Sequence, residues 1–204
     1  MRALKVADFL LQIAAVKLSP EKPFIWASGI ESPIYCDNRK TLSFPQIRNE
    51  IRDAFVATIK EKYPNAEVIA GVATGGIAIG ALVAEQLNLP FIYVRSEAKK
   101  HGLGNQVEGV LHDHQKVVVI EDLVSTGKSS LTAVDALRGT NANVLGMVAI
   151  FTYGFEKANQ AFLQASCELS TLSNYDALIE QAVASGYVQK EQLDQLQSWK
   201  KQQG

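Results

Sequence analysis

The fold is decided by the stretch Val117-Val118-Val119-Ile120-Glu121-Asp122-Leu123-Val124-Ser125-Thr126-Gly127-Lys128. It opens with an unbroken β-branched run, which is typical of a strand buried on both faces of a sheet. Two acids follow, then a short turn rich in hydroxyl side chains, and then helical periodicity over residues 128–137. A buried strand that leads through a short turn into a helix is the repeating unit of a parallel sheet covered by helices.

The same alternation continues on both sides of this stretch. Hydrophobic periodicity and turn residues predict helices at 77–87 and 128–137 and strands at 68–72, 91–94, 116–120 and 144–151. We therefore expect an α/β fold in which a parallel central sheet is flanked by helices. Ligands of such sheets bind beyond the carboxyl ends of the strands, so the functional residues are expected there.

The ends of the chain are predicted to be appendages of a single domain that spans residues 1–204. Apolar residues recur at helical spacing over residues 1–18, which predicts an amphipathic helix, and Asp8 and Gln12 interrupt the run that a signal peptide would need. Strands at 24–27 and 34–36 are expected to pair as a hairpin outside the main sheet, giving an N-terminal hood of about residues 1–40. A helix at 44–62 follows the hood. The tail from about residue 155 predicts an edge strand at 168–172 and helices at 156–164, 175–184 and 190–201.

Composition excludes several classes of function. Lys and Arg together number 20 against 21 for Asp and Glu, so there is no basic field for a nucleic-acid backbone. No apolar run approaches the roughly 18 residues that a membrane span requires. Cys36 and Cys167 lack the spacing of a zinc site or a disulfide framework. We expect a cytoplasmic protein that binds neither nucleic acid nor membrane.

The acids and the turn after the buried strand predict a site for a ribose phosphate. Unpaired backbone N–H groups at a helix start favour a phosphate, so residues 125–129 form a candidate phosphate loop. The carboxylates of Glu121 and Asp122 can accept hydrogen bonds from sugar hydroxyls. A simple helix cap by Asp122 or Ser125 is the structural alternative. A nucleotide-triphosphatase P-loop is disfavoured, because that motif needs glycine where Asp122 stands.

This segment resembles the phosphoribosyl pyrophosphate signature of the type I phosphoribosyltransferases. The resemblance implies that Glu121 and Asp122 hold the ribose hydroxyls. It also implies that the 5'-phosphate is bound by the loop residues Ser125, Thr126, Gly127, Lys128 and Ser129.

Three further segments resemble the orotate-specific branch of that family. Residues 28–39, from Ser28-Gly29 through Ser32-Pro33 to Arg39, are similar to its orotate-binding hood segment. Residues 71–76 are similar to its pyrophosphate loop, which implies that Thr74 and Gly75 bind phosphoribosyl pyrophosphate. Residues 95–105 resemble its catalytic loop. The resemblance implies that Arg95, Lys99 and His101 act on pyrophosphate, with the Lys and His supplied by the neighbouring subunit of a homodimer.

The resemblance implies that the substrates are orotate and phosphoribosyl pyrophosphate. It also implies that Mg²⁺ is the cofactor and is held mainly through the substrate, with Asp122 as the one candidate direct ligand. The residues expected to contact orotate are Ser125, Tyr35, Cys36 and Arg39. Two cations found in other members are replaced by Ala27 and Gly75, so we assign the orotate carboxylate to Arg39 ahead of Lys40. The alternatives are a phosphoribosyltransferase for another base and a non-catalytic phosphoribosyl pyrophosphate sensor.

Overall fold

The computed structural model describes residues 2–26, 29–96 and 106–203, and its centre is a mostly parallel sheet of six strands. These strands are β5 (Val68–Val72), β6 (Phe91–Val94), β7 (Val107–Glu108), β8 (Lys116–Val124), β9 (Asn143–Thr152) and β10 (Leu169–Asn174). Their spatial order is β10-β9-β8-β5-β6-β7, and the short β7 alone runs antiparallel to its neighbour. The predicted parallel α/β sheet is confirmed.

The strand order reverses between β5 and β8. From β5 the chain moves outward to β6, and it then returns to place β8 on the opposite side of β5. Connections leave the carboxyl ends of these two neighbours in opposite directions, which opens a crevice between them. The crevice lies between the acids of β8 and the glycine turn after β5.

Helices cover both faces of the sheet. They are α1 (Arg2–Gln12), α2 (Pro45–Lys62), α3 (Gly75–Leu87), α4 (Lys128–Arg138), α5 (Glu156–Gln164), α6 (Tyr175–Ala184) and α7 (Leu193–Gln202). Side chains of β8 alternate between two cores, with Val118 and Ile120 packing in the core that contains α1, α2 and α3 and Val117 and Val119 in the core that contains α4. Both faces are therefore apolar, which explains the unbroken β-branched run.

The N-terminal hood differs from its prediction. Helix α1 ends at Gln12, and residues 16–18 form strand β1 (Val16–Leu18) instead of continuing the helix. Ala14 adopts a positive φ of 50°, a conformation that no α-helix can continue through. Strand β1 pairs antiparallel with β4 (Ile34–Cys36), while β2 (Phe24–Ile25) pairs with β3 (Glu31–Ser32). The prediction that residues 24–27 and 34–36 pair as one hairpin was wrong, because β4 pairs with β1 and β2 pairs with β3.

The C-terminal helices lie against the hood. Trp199 of α7 donates a hydrogen bond from its indole N–H to the Glu31 carbonyl of β3 at 3.0 Å. Its ring meets the ring of Trp26 edge-on, with centroids 5.9 Å apart. The tail is thus attached to the hood by an aromatic anchor. Across the described ranges, every helix is too short or too polar to cross a membrane.

Candidate active site

The two acids lie within the last part of β8, beyond the predicted end of that strand at residue 120. Pairing with β9 continues through Val124, opposite Thr152, so the ladder carries both acids to the carboxyl edge of the sheet. Glu121 is buried at 4% exposure, whereas Asp122 is half-buried. Their backbone is fixed by the sheet, which gives the side chains a defined position at the crevice.

The Glu121 carboxyl group is held from two sides. One oxygen accepts a hydrogen bond from the Asp122 backbone N–H at 3.0 Å, and the other accepts from the Ser130 hydroxyl at 2.9 Å. Burial, reinforced by the charge of Asp122, raises the pKa of Glu121 to about 8. Such a carboxyl group is costly to bury, so its presence at the end of a strand indicates a functional role.

The candidate phosphate loop at residues 125–129, which we call the phosphate turn, joins β8 to the first residues of α4 and has the geometry of an anion site. Gly127 caps α4 with a φ of +80°, where a Cβ would also come within 2.9 Å of the Phe162 ring. No side chain of this cap bonds the first amides of the helix. These amides and the positive end of the helix dipole could therefore bind a phosphate, and the assignment of residues 125–129 to that role stays a prediction.

The glycine turn after β5 faces the acids. A Cβ at Gly75 would overlap the Asp122 carboxylate, and one at Gly76 would overlap the Ile120 carbonyl oxygen. Both glycines therefore allow the start of α3 to approach β8 closely. Any side chain at position 75 would therefore displace the Asp122 carboxylate from its present position.

Three neighbouring cavities lie at the carboxyl ends of the strands, two of them along the crevice and one between β8 and the hood. The acid cavity, of about 380 Å³, joins the glycine turn to β8 and is lined by Cys36, Asp37, Arg39, Val72, Ala73, Thr74, Gly75, Glu121, Asp122, Leu123 and Ser129. The basic cavity, of about 340 Å³, is lined by Val72, Ala73, Arg95, Ser96, Thr126, Lys128, Ser129, Thr132 and Ala133. The aromatic cavity, of about 280 Å³, is lined by Ile25, Trp26, Tyr35, Cys36, Leu123, Ser125 and Tyr153.

Most of the predicted phosphate and pyrophosphate residues line the first two cavities, but Ser125 lines the aromatic cavity and Gly127 lines none of the three. Thr74 and Gly75 face the acids, while Thr126 and Lys128 share the basic cavity with Arg95. Arg95 also pairs with Glu108 at 3.4 Å. This separation of an acidic wall from a cationic wall suits a sugar whose hydroxyls and phosphates need opposite partners. Lys99, His101 and the hood residues Ala27 and Ser28 lie outside the described residues.

The predicted orotate residues do not all share one cavity. Tyr35, Cys36 and Ser125 line the aromatic cavity, where burial raises the pKa of the Cys36 thiol. Arg39 instead lines the acid cavity and pairs with Asp37 at 2.7 Å. Its assignment to the orotate carboxylate therefore stays a prediction.

Sequence reasoning missed Trp26 and Tyr153, which supply aromatic surface to the aromatic cavity. Each stands beside a recognised segment, since Trp26 precedes the hood turn and Tyr153 follows β9 at the carboxyl edge of the sheet. Position at a strand end was the signal that could have found Tyr153. Sequence reasoning also missed Asn38, whose side-chain amide donates a hydrogen bond to the Asp122 carbonyl oxygen at 2.7 Å.

Comparison with known proteins agrees with this site. The family model described as Phosphoribosyl transferase domain matches residues 41–176. An orotate phosphoribosyltransferase of Cytophaga hutchinsonii is 56% identical, covering 98% of this chain and 96% of that protein. One of Lactococcus lactis is also 56% identical, covering 97% and 95%.

Solved structures share the fold. The crystal structure of an orotate phosphoribosyltransferase from Aeropyrum pernix superposes with a TM-score of 0.77 at 27% identity, covering 90% of this chain and 99% of that one. The UMP synthase of Leishmania donovani gives a TM-score of 0.82 at 23% identity, which is a likeness of fold alone, and this chain spans 43% of its length.

The sheet, the acid pair and the phosphate turn thus define a phosphoribosyltransferase domain. Within that class, the level and extent of identity show that the chain belongs to the orotate phosphoribosyltransferase family.

Proposed function

We propose that this enzyme transfers the 5-phosphoribosyl group of phosphoribosyl pyrophosphate to orotate, giving orotidine 5'-monophosphate and pyrophosphate in pyrimidine biosynthesis. The observation that carries the proposal is the placement of Glu121 and Asp122 at the carboxyl edge of β8, facing the glycine turn and adjoining the first turn of α4. Acids for the ribose hydroxyls and amides for its phosphate then flank one crevice.

The reaction displaces pyrophosphate from the anomeric carbon of the ribose by a ring nitrogen of orotate. Positive charge develops on the sugar while negative charge grows on the leaving group, so stabilisation of the departing anion matters most. Arg95 and Lys128 line the basic cavity and would provide part of this charge. We assign the remainder to Lys99, with His101 assisting by hydrogen bond or proton transfer.

Mg²⁺ is proposed as the cofactor, held mainly by the substrate, and a carboxylate such as that of Asp122 is a hard oxygen donor of the kind this ion prefers. Over the described ranges, no group of three or more His, Cys, Asp and Glu side chains is placed to bind a metal. Asp122, in the acid cavity, is the candidate direct ligand. When bound, the ion would neutralise pyrophosphate charge and orient it against the ribose.

We also propose that the active form is a cytoplasmic homodimer in which each site receives Lys99 and His101 from the partner subunit. Mixing the inactive variants Lys99→Ala and Asp122→Asn tests this arrangement. Hybrid dimers would contain one intact site, so the mixture should recover about a quarter of the wild-type activity. Absence of recovery after confirmed subunit exchange would contradict shared sites.

The transfer itself is tested by following loss of orotate absorbance after addition of phosphoribosyl pyrophosphate and Mg²⁺. Rapid loss that depends on both additions is expected. Turnover of a purine or of uracil in preference to orotate would indicate a phosphoribosyltransferase for another base. Binding of phosphoribosyl pyrophosphate without any turnover would indicate a sensor and refute the proposal.

A further inference from the structure

The aromatic cavity contains a hydroxyl group that the reaction scheme leaves without a role. Tyr153 is 3% exposed, and its hydroxyl makes no hydrogen bond to any residue in the described ranges. Three fully buried polar side-chain atoms in that part of the chain have no hydrogen-bond partner: Arg48 Nε, Tyr63 Oη and Ser170 Oγ. The Tyr153 oxygen is not one of them. The Tyr153 oxygen has no partner among the described residues, and the Tyr153 side chain lines the aromatic cavity.

The Tyr153 ring is held rigidly. It stacks on Phe155 with centroids 5.4 Å apart and an interplanar angle of 11°, and it meets Phe151 edge-on at 5.6 Å. Trp26 and Trp199 contact it from the hood side, at centroid distances of 5.1 and 6.4 Å. Because the ring is already fixed, a ligand that forms a hydrogen bond with its hydroxyl loses little binding free energy to ordering of the Tyr153 side chain.

The cavity suits a flat heterocycle with polar edges. Trp26 and Leu123 supply apolar surface, and Ser125 and Tyr153 contribute hydroxyl groups. Burial raises the pKa of Tyr153 well above its ordinary value, so the phenol remains protonated and can donate at neutral pH. A buried donor left unpaired by the wrong ligand is the strongest means of discrimination between similar bases.

We infer that the Tyr153 hydroxyl donates a hydrogen bond to an acceptor oxygen of bound orotate and is a specificity-determining residue of this enzyme. The inference rests on the proposed function, because it assigns the aromatic cavity to the base. It adds a residue that neither the acid pair nor the phosphate turn identifies.

The test is Tyr153→Phe, which removes the hydroxyl and keeps the ring. The KM for orotate should rise about tenfold, which corresponds to about 1.4 kcal/mol. The KM for phosphoribosyl pyrophosphate and the melting temperature should stay at their wild-type values. Tyr175→Phe is the matched control, since its hydroxyl bonds the Leu196 carbonyl at 3.1 Å and lines none of the three cavities. That variant should lose stability without a change in either KM.

An unchanged orotate KM in Tyr153→Phe overturns the inference, as does an equal rise in both KM values with a fall in melting temperature. If this variant does not fold, wild-type enzyme labelled with ¹³C at tyrosine Cζ provides the readout, and Tyr35→Phe serves only to assign the signal of the other tyrosine of the cavity. A shift of a second tyrosine signal on orotate binding, with the Tyr175 signal assigned by Tyr175→Phe and unmoved, supports the inference, whereas a shift confined to Tyr35 or the absence of any shift overturns it. Wild-type enzyme that fails to consume orotate would instead refute the proposed function.

Discussion

Replacing Gly75 with alanine should move the Asp122 carboxylate out of the acid cavity and leave the fold intact. The new Cβ would overlap the carboxylate itself, which can rotate away because it ends a short side chain. Gly75 is the first residue of α3 and does not have a positive φ, so alanine fits its backbone. Alanine also favours the helix over glycine, by up to about 1 kcal/mol, which offsets local crowding.

The magnitude follows from the hydrogen bonds that Asp122 would no longer make to the ribose. A hydrogen bond to a charged group contributes about 1.5–3 kcal/mol. The KM for phosphoribosyl pyrophosphate should therefore rise roughly 10- to 100-fold, since each 1.4 kcal/mol is a factor of ten. Steady-state kinetics with that substrate varied, together with thermal denaturation, measures both effects.

Gly76→Ala is the matched control. Its Cβ would meet the Ile120 carbonyl of β8, which is backbone and cannot rotate away. This variant should lose about 1–3 kcal/mol of stability through overpacking. A wild-type KM for phosphoribosyl pyrophosphate in Gly75→Ala would refute the reasoning, as would equal losses of stability in the two variants.

Three other predictions concern the acids, the tail and the hood. Because burial raises the pKa of Glu121 to about 8 from 4.5, the folded protein holds a proton that the unfolded chain releases. The free energy of unfolding should therefore fall as pH rises from about 5 to 8, by up to about 1.4 kcal/mol per unit, and urea titrations of Glu121→Gln should lack this component. Trp199→Phe removes the hydrogen bond to the Glu31 carbonyl, so the free energy of unfolding should fall by about 1 kcal/mol and the KM for orotate should rise. An unchanged melting temperature would contradict the role of Trp199 as an anchor of the hood. Arg39→Ala should raise the KM for orotate at least tenfold, with Lys40→Ala as control, whereas a rise confined to phosphoribosyl pyrophosphate would place Arg39 on the sugar.

The central unit of the site could be read from the chain because its parts are contiguous. Glu121, Asp122 and the turn at 125–129 follow one another in a strand, a turn and a helix start, so their proximity needs no long-range contact. Even here β8 runs on to Val124, since pairing with β9 outweighs the local signal that the strand ends at the acids. The hood shows the same effect more strongly, because β1 formed from residues predicted to be helical once β4 was available to pair with them.

By itself the sequence determined the parallel sheet and predicted the acid pair and the phosphate turn, all of which depend on periodicity and on residue types a few positions apart. Only the tertiary structure decided that Trp26, Leu123 and Tyr153 meet in one cavity and that Trp199 anchors the hood. These groups come from distant segments, and the hydrophobic packing that joins them is non-directional, so it leaves no local pattern in the chain. The phosphate turn can thus be predicted from the sequence of residues 125–129, whereas the aromatic cavity exists only once the chain has folded.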